Sequence, residues 1–135
     1  MLGVIKVNEQ QYIVEAEKKV LDIKGLTESI PKREINTVGV IGAGTMGGGI
    51  AMNFVNVGIP VHIVETSQDH LDKGLVNISN NYQRSVDRGK ISKEQVADRL
   101  KLITSSTQLT DLGHCDIIIE AVYEDLDLKK KIFKE

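Results

Sequence analysis

A run of β-branched and apolar residues at 37–42 passes straight into Gly42-Ala43-Gly44-Thr45-Met46-Gly47, and behind that loop Met46, Ile50, Phe54 and Val57 recur at helical spacing. A buried strand that turns through a Gly-x-Gly-x-x-Gly loop into a helix leaves few folds open. The helix has to pack back on the strand, and the next strand has to run parallel to the first. Gly58 is expected just past the helix, and residues 60–64 form that second strand, ending at Glu65. The alternation then repeats. A long helix is expected at 69–87 with Leu71, Leu75, Ile78 and Tyr82 on one face, broken at Gly89. Ser92 and Gln95 have the spacing of a capping box for a helix ending near Leu100. A short third strand at 102–104, a helical turn at 109–112, a fourth strand at 116–121 and a helix from Asp125 complete the pattern. Strands separated by helices predict an α/β fold, a Rossmann-type doubly wound parallel sheet. It is expected to be incomplete, with strand order 3-2-1-4 and a helical hairpin inserted between strands 2 and 3.

Residues 1–35 read differently. A helix at about 10–22 is expected from Ile13, Ala16 and Val20, in preference to a hairpin pairing 2–7 with 12–14. Residues 27–34 are polar, contain Pro31 and read as a linker. Two domains follow: an N-terminal linker and helical segment at 1–35, and the α/β domain at 36–135.

Each glycine of the loop has a physical task. Gly42 permits the tight turn, Gly44 lets a pyrophosphate approach the backbone, and Gly47 lets the helix lie close to the strand. The helix N-terminus offers free N–H groups and the positive end of its dipole. Gly48 and Gly49 extend the run and are expected to serve close helix–sheet approach rather than ligand contact. Glu65, at the end of the second strand, can accept both hydroxyls of an adenosine ribose and repels a 2′-phosphate. The next residues, Thr66 and Ser67, bring no arginine. The loop and the acid together point to a dinucleotide site, for NAD in preference to NADP.

Composition narrows the partners. The net charge is −2 and the chain has no long basic run, which argues against a nucleic-acid surface. Apolar stretches such as 38–41 and 117–119 are far too short to span a bilayer, and the N-terminus does not read as a secretory signal. The single cysteine, Cys115, suits a reducing compartment and is expected to fill space in the core. His62 is expected to be a flanking or core residue of the second strand, His70 to face solvent on the long helix and His114 to lie in a loop. No metal site is expected.

The stretch Val38-Gly39-Val40-Ile41-Gly42-Ala43-Gly44-Thr45-Met46-Gly47-Gly48-Gly49-Ile50-Ala51 resembles the opening of 3-hydroxyacyl-CoA dehydrogenases. So do Val64-Glu65-Thr66 and Ile119-Glu120-Ala121-Val122-Tyr123-Glu124-Asp125-Leu126, so the resemblance covers residues 36–135. More loosely, residues 12–26 look like the segment that joins a hydratase half to the dehydrogenase half in multifunctional β-oxidation enzymes.

The resemblance implies oxidation of (3S)-hydroxyacyl-CoA to 3-ketoacyl-CoA with NAD in fatty-acid β-oxidation. It makes an acyl-CoA the substrate of the full-length protein, in the cytoplasm or, in a eukaryote, the peroxisome. It implies that Gly42, Ala43, Gly44, Thr45, Met46 and Gly47 hold the pyrophosphate and Glu65 the adenosine ribose. Glu124 and Lys129 would stand near the nicotinamide-side ribose, with Ala121 lining the pocket through its backbone. The segment around 88–90 falls where the family contacts CoA. The family's Ser-Asn-Thr-Ser segment, catalytic histidine and partner glutamate lie beyond the matched stretch. The expectation is therefore a truncated NAD-binding domain with no catalytic residue of its own, inactive as this chain, binding NAD weakly and self-associating through the strand at 116–121 unless residues 1–30 cover it. Two rival readings are a non-catalytic NAD-binding module and a related β-hydroxyacid dehydrogenase.

Overall fold

The structure, a computed structural model, describes residues 8–25 and 30–134. The chain divides into two units, with the division in the chain between Arg33 and Glu34. In the first, α1 (Glu9–Leu21) begins at Asn8, whose side chain accepts from the Gln10 N–H at 3.1 Å. No residue of α1 is buried, and Ile13 and Val20 are exposed. Residues 12–14 are helical, as preferred above; residues 1–7, the other arm of the hairpin alternative, lie outside the described residues, as do 26–29 of the expected linker.

The second unit contains β1 (Val38–Ile41), α2 (Thr45–Asn56), β2 (Val61–Val64), α3 (Gln68–Asp87), α4 (Lys93–Leu100), β3 (Ile103–Ser106), a 3-10 helix (Leu109–His114), β4 (Ile117–Glu120) and α5 (Leu126–Ile132). The four strands are parallel, in the order β3-β2-β1-β4. This is the expected order, with α3 and α4 as the helical hairpin between β2 and β3. Ser92 and Gln95 make both bonds of the capping box, and Gly58 and Gly89 carry positive φ just after their helices.

Strand alternation gives the sheet two faces. Val38, Val40, Val61 and Ile63 point into the main core, where Ala51, Val55, Leu71, Ile78 and Tyr82 from α2 and α3 meet them. Ile41 and Val64 point to the other face, which Leu112 and partly buried residues of α5 and the 3-10 helix cover. That second cover is thinner. At its N-terminal end the Asp116 carboxylate accepts from the backbone of Asn36 and Thr37 at 2.8 and 3.0 Å and ties the start of β4 to the start of β1.

Three expectations need correction. The buried stripe of α2 is Gly47, Gly48, Ala51 and Val55, whereas Met46 and Val57 are 72% and 73% exposed. Hydropathy selects the large apolar residues, but contact distance decides which are fully buried; Ile50 and Phe54 of the expected face are partly buried against the same core. The Gly48 and Gly49 expectation also changes. A Cβ on Gly48 would meet Ile78 of α3 at 3.3 Å, and one on Gly49 would meet open space. Third, β3 runs to Ser106, two residues past its apolar stretch, because parallel pairing with β2 carries it on: Ser105 pairs with Ile63 and Ser106 with Val64.

Candidate functional site

The carboxyl ends of β1, β2 and β4 converge where the chain leaves β1 toward one face and β4 toward the other, the topological switch point of an open parallel sheet. A cleft of about 360 Å³ lies there, lined by Gly42, Gly44, Glu65, Thr66, Ala121 and Val122, with Leu109, Leu128 and Ile132 as apolar walls. Gly42 sits at φ +105°, and a Cβ there would stand 2.7 Å from the Ala121 carbonyl oxygen. Both the backbone conformation and the close approach of the β4 turn demand glycine. Gly47 faces inward: a Cβ would fall onto the Gly42 carbonyl oxygen. Gly44 behaves oppositely. Its φ of −67° suits any residue, and beyond its neighbours in the chain nothing lies within 4 Å of where its Cβ would be, so the space it leaves opens to the cleft.

Among the described residues α2 is the one α-helix with no side-chain N-cap; Asn8, Ser67, Ser92 and Asp125 cap the others. The first-turn N–H groups of α2 therefore keep their capacity for an external acceptor. Glu65 stands opposite. Its Oε2 accepts from the Ala43 N–H at 3.2 Å and its Oε1 from the Thr66 hydroxyl at 3.4 Å, which aims the carboxylate at the loop. An anion cradle with no side chain in it, beside a carboxylate able to accept two hydroxyls, fits a pyrophosphate joined to a 2′-hydroxyl ribose.

The expected site residues separate into groups. Gly42, Gly44, Glu65 and Ala121 line the cleft together, and Ala43 joins them through its bond to Glu65. Thr45 lines a neighbouring cleft of about 220 Å³ with Asn77, Asn81 and Arg84. Met46 is exposed, with its backbone in the first turn of α2, and Gly47 is buried against Gly42 in the turn. Glu124 and Lys129 are 2.8 Å apart but do not line the cleft. Lys129 also lies 3.3 Å from Glu120, which sequence reasoning missed. Its signal was present: a carboxylate closes the apolar strand Ile117-Ile118-Ile119.

The histidines are arranged around β2. His62 Nδ1 and Nε2 lie 2.8 and 3.0 Å from the hydroxyls of Thr104 and Ser106, and its ring meets that of His114 edge to face at 5.6 Å. His70 is exposed, as expected, and lines the rim of the cleft beside Thr66. Among the described residues no histidine ring is hydrogen-bonded to a carboxylate. Cys115 packs, half-buried, against the second core cluster; burial and then Asp116 push its thiol up, away from the thiolate form.

Burial, and then His114, hold His62 below the ordinary histidine value of 6.5, with Asp111 opposing. The unfolded chain therefore binds a proton at higher pH than the folded one. Stability is full above about pH 6.5 and falls as pH drops through the window below it. Urea midpoints at pH 7.5 and 5.5 should show this loss, and His62→Asn should reduce it.

Residues 37–135 match the family described as 3-hydroxyacyl-CoA dehydrogenase, NAD binding domain. The chain belongs to this family. The chain is 35% identical over 115 residues to the fatty acid oxidation complex subunit alpha of Psychrobacter cryohalolentis, a match covering 84% of this chain and 16% of that protein. It is 38% identical over 120 residues to the peroxisomal bifunctional enzyme of Danio rerio, covering 89% of this chain and 16% of that protein. Its fold is similar to the crystal structure of (S)-3-hydroxybutyryl-CoA dehydrogenase from Ralstonia eutropha, with a TM-score of 0.72 and 40% identity over 75% of this chain and 36% of that one. The chain thus spans about a sixth of the two curated relatives and about a third of the solved structure. For this 3-hydroxyacyl-CoA dehydrogenase NAD-binding domain, NAD is the cofactor of the family, and the open cradle at Gly44 with Glu65 beside it suits that dinucleotide. No helix of the described residues is long and apolar enough to cross a membrane.

Proposed function

We propose that residues 36–135 form the NAD-binding domain proper and residues 1–35 a leading segment, and that the domain holds NAD for the oxidation of a (3S)-hydroxyacyl-CoA to the 3-ketoacyl-CoA. The single observation that carries this reading is Gly44: a helix N-terminus left uncapped over a space no protein atom fills, facing a ribose-compatible carboxylate. Gly42, Ala43, Gly44, Thr45 and Met46 present backbone to the pyrophosphate, with Gly47 holding the turn. Glu65 takes the adenosine ribose, and Ala121, Glu124 and Lys129 form the nicotinamide side. When bound, NAD accepts the hydride; the protein's part is to orient it and keep the 2′-hydroxyl end in place. The polar cleft of Asn77, Asn81 and Arg84 beside Thr45 offers amide and guanidinium donors to the CoA portion of the substrate. The relative from Danio rerio, named peroxisomal, supports a peroxisomal setting in a eukaryote, with the cytoplasm as the alternative. The outer edge of β4, with Ile117 and Ile118 at 41% and 49% exposure, supports self-association there, which sedimentation at rising concentration would detect.

Gly44→Ala is the deciding variant. Its added methyl meets only the cleft, so stability should change by about 1 kcal/mol or less while NADH binding by calorimetry is lost. An alanine variant that binds NADH as the wild type does would remove the cradle from the cofactor. With no histidine–carboxylate pair among the described residues, the chain should not oxidise NADH with acetoacetyl-CoA.

A further inference from the structure

Only 13% of the Glu120 side chain is exposed, and a carboxylate so covered requires partners. Both of its oxygens have one. Oε1 accepts from the Val122 N–H at 2.7 Å, and Oε2 lies 3.3 Å from the Lys129 ammonium. One contact lands on the lining of the cleft and the other on a residue next to that lining. Val122 lines the cleft, and so does Leu128, the neighbour of Lys129. Ala121, between Glu120 and Val122, donates its N–H to the Ile41 carbonyl at 2.8 Å and presents its own carbonyl to Gly42.

We propose that Glu120 is a positioning residue of the cofactor site, holding the turn after β4 and the Lys129 ammonium in register with the glycine loop. This rests on the reading of the cleft as the NAD site. The chemistry calls for a carboxylate. A glutamine can still accept from the Val122 N–H, but it cannot neutralise Lys129. Glu124, the other acid facing the ammonium, reaches it from the surface with 86% of its side chain exposed. Glu120 is therefore the covered partner that fixes where the ammonium sits. Asp125 is engaged elsewhere, accepting from the Leu128 N–H at 2.8 Å.

The test uses the full chain with Glu120→Gln, Lys129→Met and the double variant. Calorimetry measures NADH and AMP affinity, AMP reporting the adenosine end alone, and NMR follows the Lys129 ε-carbon with pH. Glu120→Gln should weaken NADH about fivefold and leave AMP within about twofold, a smaller loss than for a direct bond to a charged group because Glu120 acts through Lys129 and does not itself touch the cofactor. The same change in the Lys129→Met background should have no further effect on NADH. The Lys129 ammonium, held above the usual lysine range by Glu124 and also by Glu120, should titrate at lower pH in Glu120→Gln, a readout that lost stability alone would not move. Unchanged NADH affinity in Glu120→Gln, equal losses for NADH and AMP, or additive losses in the double variant would overturn the positioning role. A wild-type chain that binds neither NADH nor AMP would instead overturn the cofactor reading beneath it.

Discussion

Replacing Gly47 by alanine should cost the domain at least about 3 kcal/mol and more than about 10 °C of thermal midpoint, because the new methyl group is driven onto a backbone carbonyl rather than a movable side chain. That carbonyl belongs to Gly42, whose own position is set by φ +105° and by the Ala121 carbonyl, so the loop cannot retreat. Gly74→Ala should behave alike from the side of α3, where a Cβ would strike the Ala43 carbonyl and stand 2.6 Å from the Ala43 Cβ. Gly49 is the control within the same helix. It is exposed, a Cβ there meets nothing within 4 Å, and alanine should stabilise α2 by about 0.5–1 kcal/mol. Thermal melts of the three variants settle the order. A Gly47→Ala domain as stable as the wild type would mean that the loop and helix are not packed as described. Together with Gly44→Ala, these variants separate glycines that shape the turn from the glycine that leaves room for a ligand.

The second large effect is expected at Glu65. Loss of its carboxylate in Glu65→Ala should lower NADH affinity about 10- to 100-fold, the range of hydrogen bonds to a charged group. Its influence on NADPH should run the other way. A carboxylate about 4 Å from a phosphate charge is unfavourable by roughly 4 kcal/mol near a protein surface, enough for a preference of about a thousandfold. Glu65→Ala should bring the two cofactors close to parity. Glu65→Gln should keep the acceptor for the Ala43 N–H, and with it stability, while still losing much of the discrimination. Fluorescence titration of both reduced cofactors against each variant measures the ratio. A ratio unmoved in Glu65→Ala would place the ribose elsewhere.

How far the sequence reaches depends on how local the determinant is. Strand, glycine loop, helix, strand and acid fit within residues 38–65, and all five were legible because each depends on neighbours in the chain. The strand order followed from the doubly wound pattern, in which the chain reverses direction across the sheet beside the first strand. The buried stripe of α2 was not legible. Glycines carry no hydropathy, and only the Gly42 carbonyl and Ile78 show why Gly47 and Gly48, rather than Met46, turn inward. Ser105 and Ser106 hid the end of β3, since their place comes from pairing with β2. Glu120 was hidden for a related reason. Its neighbours Val122 and Lys129 become neighbours only once α5 folds back against the end of β4, and a carboxylate read in line with three isoleucines shows none of that.

The bond from the Asp116 carboxylate to the Thr37 backbone spans 79 residues, whereas the one joining Glu65 to Ala43 spans 22. Closing the shorter loop costs less chain entropy, and contacts between distant residues slow folding. The two ends of the cleft are thus unequal in time as well as in chemistry. The adenosine end can assemble from β1, α2 and β2 alone, while the wall at 121–129 has to wait for a far segment to dock beside β1. Amide hydrogen exchange should record that order, with protection at Ala43 and the first turn of α2 arriving before protection along β4.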